Sequence, residues 1–270
     1  MSEPRIFDRA HYGNLNHARG TLVTELLGEI KDRLGLHTAI DVGCGLGHFS
    51  ALLDDAGMEV TAVDGRQENV EEASRRYPGI RFEQFDVQDK AISNLGKFDL
   101  VFCFGLLYHL ENPMLAVRHL RAMTSHVLMI EGVIYPGNEP IMALIDEEIH
   151  EDQGLNHLAF YPTEACLVKI MYRAGFPQVY GFKRQPDHSE YRAGRATRRI
   201  RTMLVASLAP LSTELLKPIL EPSLKIRPWD PEIDAGSHAL HTLGRFGRKA
   251  LPEKIRALKK VIRRVDGEKG

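Results

Sequence analysis

The sequence predicts an α/β fold built on a doubly wound, mainly parallel sheet of seven strands. Short apolar runs alternate with segments of helical periodicity between residues 20 and 207. An alternation of this kind is typical of right-handed βαβ crossovers, which place their strands side by side in one sheet. A cluster of glycines follows the first predicted strand. In such folds that position lies at the edge of the sheet where ligands bind.

The helices and strands are predicted from apolar spacing and from stop signals. The first helix covers residues 20–36, where apolar residues recur at helical intervals and Gly35 ends the pattern. The segment before it, 9–20, could form a lid or could cap this helix. Four later helices are predicted at 46–57, 66–77, 112–124 and 162–175. The seven strands are predicted at 38–43, 58–64, 80–86, 98–105, 126–134, 177–184 and 198–207.

Composition narrows the class of protein. Of the 270 residues, 43% are hydrophobic and 26% charged, as in ordinary soluble globular proteins. The net charge of −1 gives no argument for nucleic acid as a partner of the whole molecule. Three widely separated cysteines without a Cys-x-x-Cys pair exclude a disulfide framework and a zinc ribbon. They fit a reducing compartment, and we expect a cytoplasmic protein.

No targeting or membrane segment is expected. The first residues are polar and lack the apolar core of a signal peptide. No run approaches the roughly 18 apolar residues of a membrane span.

Changes in pattern divide the chain into three parts. We expect a helical cap at 1–37, a core domain at 38–208 with a lid insertion at 135–160, and a helical extension at 209–270. Residues 251–265 in this extension predict a basic amphipathic helix. Its apolar stripe is expected to pack on the chain's own domain, and contact with an anionic membrane surface or with RNA is the alternative.

The glycine cluster predicts a nucleotide-type site. Asp64 ends the second predicted strand, about 20 residues after the glycines, where an acid accepts hydrogen bonds from a ribose. The loop reads "GCGLG" and not G-x-G-x-x-G, and Asp41 stands two residues before its first glycine. A carboxylate beside the loop favours a cationic ligand over a pyrophosphate, which it would repel.

These features resemble the first motif of class I S-adenosylmethionine-dependent methyltransferases. The segments "FDV" at 85–87 and "FDLVFCFGLLYHLENP" at 98–113 resemble later motifs of that superfamily, in the expected order. The resemblance covers residues 38–207. It implies a Rossmann-like fold, methyltransferase activity, and S-adenosylmethionine as cofactor with S-adenosylhomocysteine as product.

The resemblance also implies roles for individual residues. Asp64 and Gly65 would bind the ribose, and Asp86 and Val87 the adenine. The methionine part would be held by the glycine loop and the acid before it: Asp41, Gly43, Cys44, Gly45 and Gly47. The approach to the sulfonium would be lined by Phe104, Gly105 and Leu106. The simpler interpretations are that Asp41 bonds loop amides and that Asp86 is a turn residue.

Methyl transfer requires an aligned nucleophile, exclusion of water and often a base. Tyr108 and His109, directly after the fourth predicted strand, are the first candidates, and His150 and His157 in the lid are the next. An alcohol acceptor benefits most from such a base, so oxygen is favoured over nitrogen as the acceptor atom. Alternatively, Tyr108 packs on the cofactor, His109 caps a turn and the lid histidines are solvated.

Two further segments offer residues for a substrate. Tyr12 and Asn14 could close over the site, although capping of the first helix is the alternative. Arg195 and Arg199, in an arginine-rich stretch at 184–201, could bind a carboxylate or phosphate of the substrate, or could form a solvated charged surface. No metal-ligand spacing is present, so no metal is predicted.

The favoured function is methyl transfer to a small molecule or a glycan intermediate. An RNA-modifying enzyme is the second hypothesis, because Tyr108-His109 and the segments at 128–134 and 160–176 resemble the tRNA wobble-uridine carboxymethyltransferase-like group. That group has Tyr-His-Arg, whereas this chain has Leu110 in the basic position, so the same carboxylated cofactor and substrate are not expected. A binding protein without catalysis is the third hypothesis.

Overall fold

A computed structural model describes residues 5–147, 154–155, 158–192 and 200–224. Contacts between residues define one unit over Met1–Leu224 and another over Lys225–Gly270. The described residues all belong to the first unit. The predicted helix at 251–265 therefore lies outside them. No helix within the described ranges is long and apolar enough to cross a membrane.

A main sheet of eight strands organises the described unit. Its strands in chain order are β1 (Thr38–Val42), β2 (Glu59–Asp64), β3 (Arg81–Gln84), β4 (Phe98–Phe104), β5 (Thr124–Ile134), β8 (Gln178–Phe182), β9 (Ile200–Ser207) and β10 (Leu216–Pro218). Their spatial order is β3-β2-β1-β4-β5-β9-β8-β10. Strands β9 and β10 run against the other six, so the predicted mainly parallel sheet is confirmed.

The eighth strand is a difference from the seven that were predicted. Strand β10 pairs antiparallel with β8 at the edge of the sheet, within the segment assigned to the extension. It is three residues long and contains Pro218, so it carries no alternating pattern. A proline is tolerated there because an edge strand leaves one side unpaired.

Five α-helices cover the sheet, and their bounds are α1 (Ala10–Leu34), α2 (His48–Asp55), α3 (Gln67–Arg76), α4 (Pro113–Met123) and α5 (Glu164–Ala174). Neighbouring strand residues point to opposite faces. Ala39 and Phe102 belong to a core with side chains of α1 and α2, whereas Ile40 and Cys103 belong to a core with α4 and α5. Helices on both faces make the sheet doubly wound, as predicted.

Helix α1 begins well before residue 20. The segment 9–20 therefore forms the first turns of this helix and is not a separate lid ahead of it, which corrects that prediction. Gly13 and Gly20 obscured the helix in the sequence, because glycine weakens helical propensity. At Gly20 the missing side chain allows close packing, since a Cβ there would lie 2.9 Å from Leu52 Cδ1 in α2.

The insertion at 135–160 contains two strands that were not predicted. Strands β6 (Met142–Asp146) and β7 (Leu158–Pro162) form a separate antiparallel pair. Side chains of β6 alternate between exposed and half-buried, and two of the exposed ones, Met142 and Leu144, are apolar. The alternation of apolar buried and polar exposed residues that usually indicates a strand is therefore missing.

Asp41 is a buried carboxyl in the middle of the sheet. It lies on β1 and accepts a hydrogen bond of 2.7 Å from Ser50 Oγ in α2. Burial, with a smaller contribution from the charge of Asp64, raises its pKa from 3.8 to about 7. This bond ties β1 to the helix behind the glycine loop.

The raised pKa predicts that Asp41 makes stability depend on pH. Between about pH 4 and pH 7 the unfolded chain loses this proton and the folded protein keeps it, so stability falls as the pH rises through that window. Replacing Asp41 with Asn should remove the effect. Urea unfolding should show the parent losing about 2–3 kcal/mol more than Asp41→Asn between pH 5 and pH 8. Asp32→Asn, at a fully exposed side chain, should behave like the parent. Equal pH dependence in parent and Asp41→Asn would contradict the prediction.

Candidate active site

A cavity of about 250 Å³ opens at the carboxyl ends of β1, β2 and β4. Many of the predicted site residues line it: Tyr12, Gly43, Cys44, Gly45, Asp64, Gly65, Asp86, Val87, Phe104, Gly105, Leu106, Tyr108 and His109. Two further predicted residues, Asp41 and Gly47, do not line the cavity. The Asp41 carboxyl bonds Ser50 behind the loop, so any effect on a ligand must be indirect.

The glycine loop depends on left-handed backbone conformations. Gly43, Gly45 and Gly47 have φ angles of 77°, 53° and 83°, a region that side chains disfavour. A Cβ at Gly47 would also lie 3.0 Å from the rings of Tyr77 and Phe82. The third glycine therefore makes room for aromatic packing outside the cavity.

The loop is tied to β2 through its own amides. The amides of Gly43 and Cys44 donate to the Val63 carbonyl at 2.8 and 3.0 Å. The amide of Gly45 donates to Asp64 Oδ2 at 2.9 Å. Sequence reasoning expected these amides to face a ligand, but these three are already bonded within the protein. The loop therefore contributes a fixed shape.

Asp64 is held in place at the end of β2. Its Oδ1 accepts hydrogen bonds from the Arg66 amide at 2.9 Å and from Asn69 Nδ2 at 3.2 Å. A carboxylate oxygen accepts more than one bond, so Asp64 keeps capacity for a ribose hydroxyl. Asn69 was missed. A polar residue in the first turn of the helix after Asp64 is the signal that could have found it.

Asp86 lies in the cavity wall and also makes a turn contact. It lines the cavity, and its Oδ1 also accepts a hydrogen bond of 2.8 Å from the Gln88 amide. This is the turn interaction that was the alternative interpretation. The neighbouring Val87 is buried and lines the cavity, and its carbonyl lies 2.8 Å from His119 Nδ1.

His109 forms a closely held pair with an acid that sequence reasoning did not single out. It lies in a short 3₁₀ turn, Leu107–His109, directly after β4. Its Nδ1 is 2.6 Å from Glu147 Oε1, and both side chains are at least 90% buried. Glu147 Oε2 also accepts a hydrogen bond of 2.9 Å from the Gly154 amide. Glu147 belongs to the acid-rich insertion, where nothing in the sequence separates it from solvated neighbours.

Two segments reach over the cavity. Asp8, beside Phe7 in the N-terminal turn, makes a two-bond ion pair with Arg76 at 2.7 and 2.8 Å. Phe7 lines the cavity next to the glycine loop. From the insertion, the side chain of Leu155 approaches Gly65, where an added Cβ would lie 3.1 Å away. Both segments thus contribute to the wall of the cavity.

A buried carboxylate, Glu131 on β5, organises the other end of the cavity. It is fully buried and accepts hydrogen bonds from Tyr191 Oη at 2.6 Å and Arg201 Nη1 at 3.1 Å. Arg19 Nη1 lies 3.6 Å from its second oxygen. Arg201 also donates from Nε to Glu190. Arg201 was noted in the arginine-rich stretch, whereas Arg19, Glu131 and Glu190 were missed.

Tyr108 lies against this cluster. Its hydroxyl is 3.4 Å from Arg201 Nη2, and the guanidinium stands 5.8 Å from the centre of its ring. Burial raises the pKa of Tyr108 above its usual value near 10. The phenol therefore stays protonated at neutral pH and is not a base.

Arg19 provides a test of whether the wall fits the expected cofactor. Its side chain lines the cavity and is about 94% buried, and its Nε makes no hydrogen bond among the described residues. A buried guanidinium N–H without an acceptor is costly, and a carboxylate is its natural partner. The wall thus offers Asp64 for hydroxyl groups and Arg19 for a carboxylate. S-adenosylmethionine carries both groups.

The remaining predicted site residues do not line this cavity or lie outside the described part of the chain. Asn14 lines a separate surface groove with His17, Arg184 and His188. Four predicted residues lie outside the described part of the chain: His150, His157, Arg195 and Arg199. Within the described part, no group of three His, Cys, Asp or Glu residues is placed to hold a metal ion.

Comparisons with known proteins agree with this geometry. Residues 40–126 match a protein family described as a methyltransferase domain. The N-terminal domain of EvdMO1, solved with S-adenosylhomocysteine, superposes with a TM-score of 0.57 at 18% identity, covering 71% of this chain and 80% of that one. Magnesium protoporphyrin IX methyltransferase from Synechocystis PCC 6803, solved with S-adenosylmethionine, gives a TM-score of 0.51 at 19% identity, covering 77% and 87%. These likenesses establish the fold.

Curated relatives match at lower coverage. A ubiquinone biosynthesis O-methyltransferase of Psychrobacter arcticus is 27% identical over 165 residues, which is 56% of this chain and 64% of that protein. A tRNA U34 carboxymethyltransferase of Tolumonas auensis is 26% identical over 159 residues, 56% of this chain and 46% of that protein. The match thus spans less than two thirds of either relative. The match over residues 40–126, the strand order and the motifs around the cavity identify a methyltransferase domain of the class I S-adenosylmethionine-dependent type within this chain.

Proposed function

We propose that the protein transfers a methyl group from S-adenosylmethionine to a hydroxyl oxygen of a small-molecule or glycan acceptor. The observation that carries this proposal is that His109, which is paired with Glu147, lines the same cavity as Asp64 and the glycine loop. When bound, S-adenosylmethionine supplies a methyl group that its sulfonium already activates. We also propose that the protein acts in the cytoplasm, since its cysteines form no disulfide pattern.

His109 is the proposed general base. Its Nδ1–H donates to Glu147, which leaves Nε2 with a free lone pair. As the acceptor oxygen attacks the methyl group, its hydroxyl proton moves to Nε2, and the Glu147 carboxylate stabilises the resulting imidazolium. An amine or thiolate acceptor would have less need of such a pair. The phenol of Tyr108, which stays protonated, is suited to orient the acceptor by a hydrogen bond.

The covered cavity supports a small acceptor. The ion pair between Asp8 and Arg76 holds the N-terminal turn over the site. On the other side, Arg66 Nη2 donates to the Gly154 carbonyl at 3.4 Å and connects the insertion to the ribose end. A covered site excludes water and suits a compact substrate more readily than a folded RNA.

An RNA-modifying carboxymethyltransferase is the second candidate. The observation in its favour is Arg201, a cation beside Tyr108 in a chain that has Leu110 at the expected basic position. Relatives with the tRNA U34 carboxymethyltransferase name agree with it. Arg201 is already paired with Glu131 and Glu190, however, so less of its charge is available for a further anion. This favours the first candidate.

We predict that release of S-adenosylhomocysteine from S-adenosylmethionine will depend on a small hydroxylated acceptor. A panel of phenols, catechols, sugars and total tRNA, followed by a coupled assay for S-adenosylhomocysteine, checks this. Turnover with tRNA alone would favour the second candidate. Tight binding of S-adenosylhomocysteine without turnover on any acceptor would favour a binding protein without catalysis.

Asp64→Ala should weaken S-adenosylhomocysteine binding about 10- to 100-fold, because a charge-assisted hydrogen bond to the ribose is lost. Isothermal titration calorimetry measures the affinity, and a thermal melt confirms that the variant is folded. Asp32→Ala, at a fully exposed carboxylate, is the matched control and should bind like the parent. Unchanged affinity in a folded Asp64→Ala protein would show that the cofactor has been placed wrongly.

His109→Asn should lower kcat about 10²- to 10⁴-fold on the acceptor found in the panel, because the base is lost. Glu147→Gln should lower kcat about tenfold or more, since His109 is then wrongly oriented. Both variants should bind S-adenosylhomocysteine as the parent does. His126→Asn is the control and should keep full activity, because His126 lies near the start of β5, at the edge of the sheet away from the cavity. Full activity in His109→Asn would exclude this residue as the base.

A further inference from the structure

We propose that Glu190 is a positioning residue that makes the acceptor end of the cavity select uncharged acceptors over anionic ones. Glu190 is not among the described residues that line the cavity, and it acts through Arg201, which does line it. This role rests on the proposed methyl transfer to a small hydroxylated acceptor, and it narrows the class of that acceptor.

The guanidinium of Arg201 is the cation closest to the phenol that is proposed to orient the acceptor. Its side chain is only 10% exposed, so its charge acts in a region of low dielectric constant. Nε donates to Glu190, Nη1 donates to Glu131 at 3.1 Å, and Nη2 lies 3.4 Å from the Tyr108 hydroxyl. Two of the three nitrogens therefore bond carboxylates, and the third lies beside the position expected for the acceptor.

The balance of charge around Arg201 depends on Glu190. Glu131 is fully buried and is shared, because Arg19 lies 3.6 Å from it and Tyr191 donates to it as well. One carboxylate neutralises only one of the two guanidiniums, and Glu190 supplies the second negative charge. An anionic acceptor would add a further negative charge beside Arg201, whose own charge is already balanced. A buried charge without its own partner is unfavourable, so an uncharged acceptor fits better.

Glu190 is held in place from two sides and stays ionised. It lies in the 3₁₀ turn Ser189–Tyr191, and its amide donates to His188 Nδ1 at 3.3 Å. The carboxylate oxygen that does not bond Arg201 lies 2.5 Å from His11 Nε2 in α1. Burial raises the pKa of Glu190, but the charge of Arg201 and the hydrogen bonds from Arg201 and His11 outweigh this effect and lower it. The side chain therefore keeps its negative charge at neutral pH.

Glu190→Gln tests this role, because it keeps an oxygen that can accept from Arg201 but removes the charge. Catechol is compared with 3,4-dihydroxybenzoate, and glucose with glucuronate, in the assay for S-adenosylhomocysteine release. The parent should show a kcat/KM about tenfold or more higher for the uncharged member of the pair that it accepts. Glu190→Gln should reduce this preference about tenfold or more, mainly through a lower KM for the anion. Its kcat on the uncharged member should stay within about threefold of the parent value.

Two probes give a second measurement that needs no turnover. Isothermal titration calorimetry on the S-adenosylhomocysteine complex compares benzyl alcohol with benzoate, and Glu190→Gln should gain about tenfold or more in affinity for benzoate alone. Glu190→Asp keeps the charge and should keep the preference of the parent. Glu221→Gln, which breaks an ion pair with Arg173 at a carboxylate of similar exposure, is the matched control and should behave like the parent.

The outcomes separate this role from the proposed function. A parent that prefers the anionic member, or a folded Glu190→Gln protein with the preference of the parent, would overturn the role of Glu190 alone. An equal loss of kcat on both members of a pair would also overturn it, because that is the result expected of a purely structural residue. Absence of turnover on every hydroxylated acceptor would overturn the proposed function, and the affinities for benzyl alcohol and benzoate would still decide the selectivity for charge.

Discussion

The buried carboxylate of Glu131 is the constraint on which the acceptor end of the site depends. A charge in the middle of a sheet is unfavourable unless bonded partners surround it. Arg201 on the neighbouring strand β9, Tyr191 in the turn Ser189–Tyr191, and Arg19 in α1 supply this compensation. Arg19 is distant in sequence from the other two groups. Their common need for one carboxylate holds the first helix, the 3₁₀ turn and strand β9 around the same cavity.

A second polar contact fixes the cofactor end. The bond from the Gly45 amide to Asp64 joins the loop after β1 to the acid that ends β2. Gly45 has a left-handed conformation, and Asn69 donates to the other oxygen of the acid. Loop shape and acid position are thus determined together. This agrees with the sequence analysis, in which the glycines and Asp64 together form one nucleotide-type motif.

Local pattern predicted the core of the fold, because each strand and helix there carries its own periodicity and stop signal. It also singled out the loop, Asp64 and His109, which lie next to such elements and line the cavity. It failed where function depends on partners distant in sequence. Glu131 is a single charge in an apolar strand, which signals a need for a partner but not which partner. Arg19 lies in a polar helical segment, and Glu147 lies among other acids, so both look like solvated residues.

The proposed base is connected to the ribose acid through the insertion. Glu147 orients His109 at 2.6 Å and holds the Gly154 amide at 2.9 Å. The Gly154 carbonyl accepts from Arg66, whose own amide donates to Asp64. Because each bond shares a residue with the next, Glu147 and Gly154 of the insertion link the orientation of His109 to the position of Asp64. In the proposed methyl transfer to a hydroxyl, the orientation of the base and the position of the acid after β2 would therefore depend on the same set of bonds.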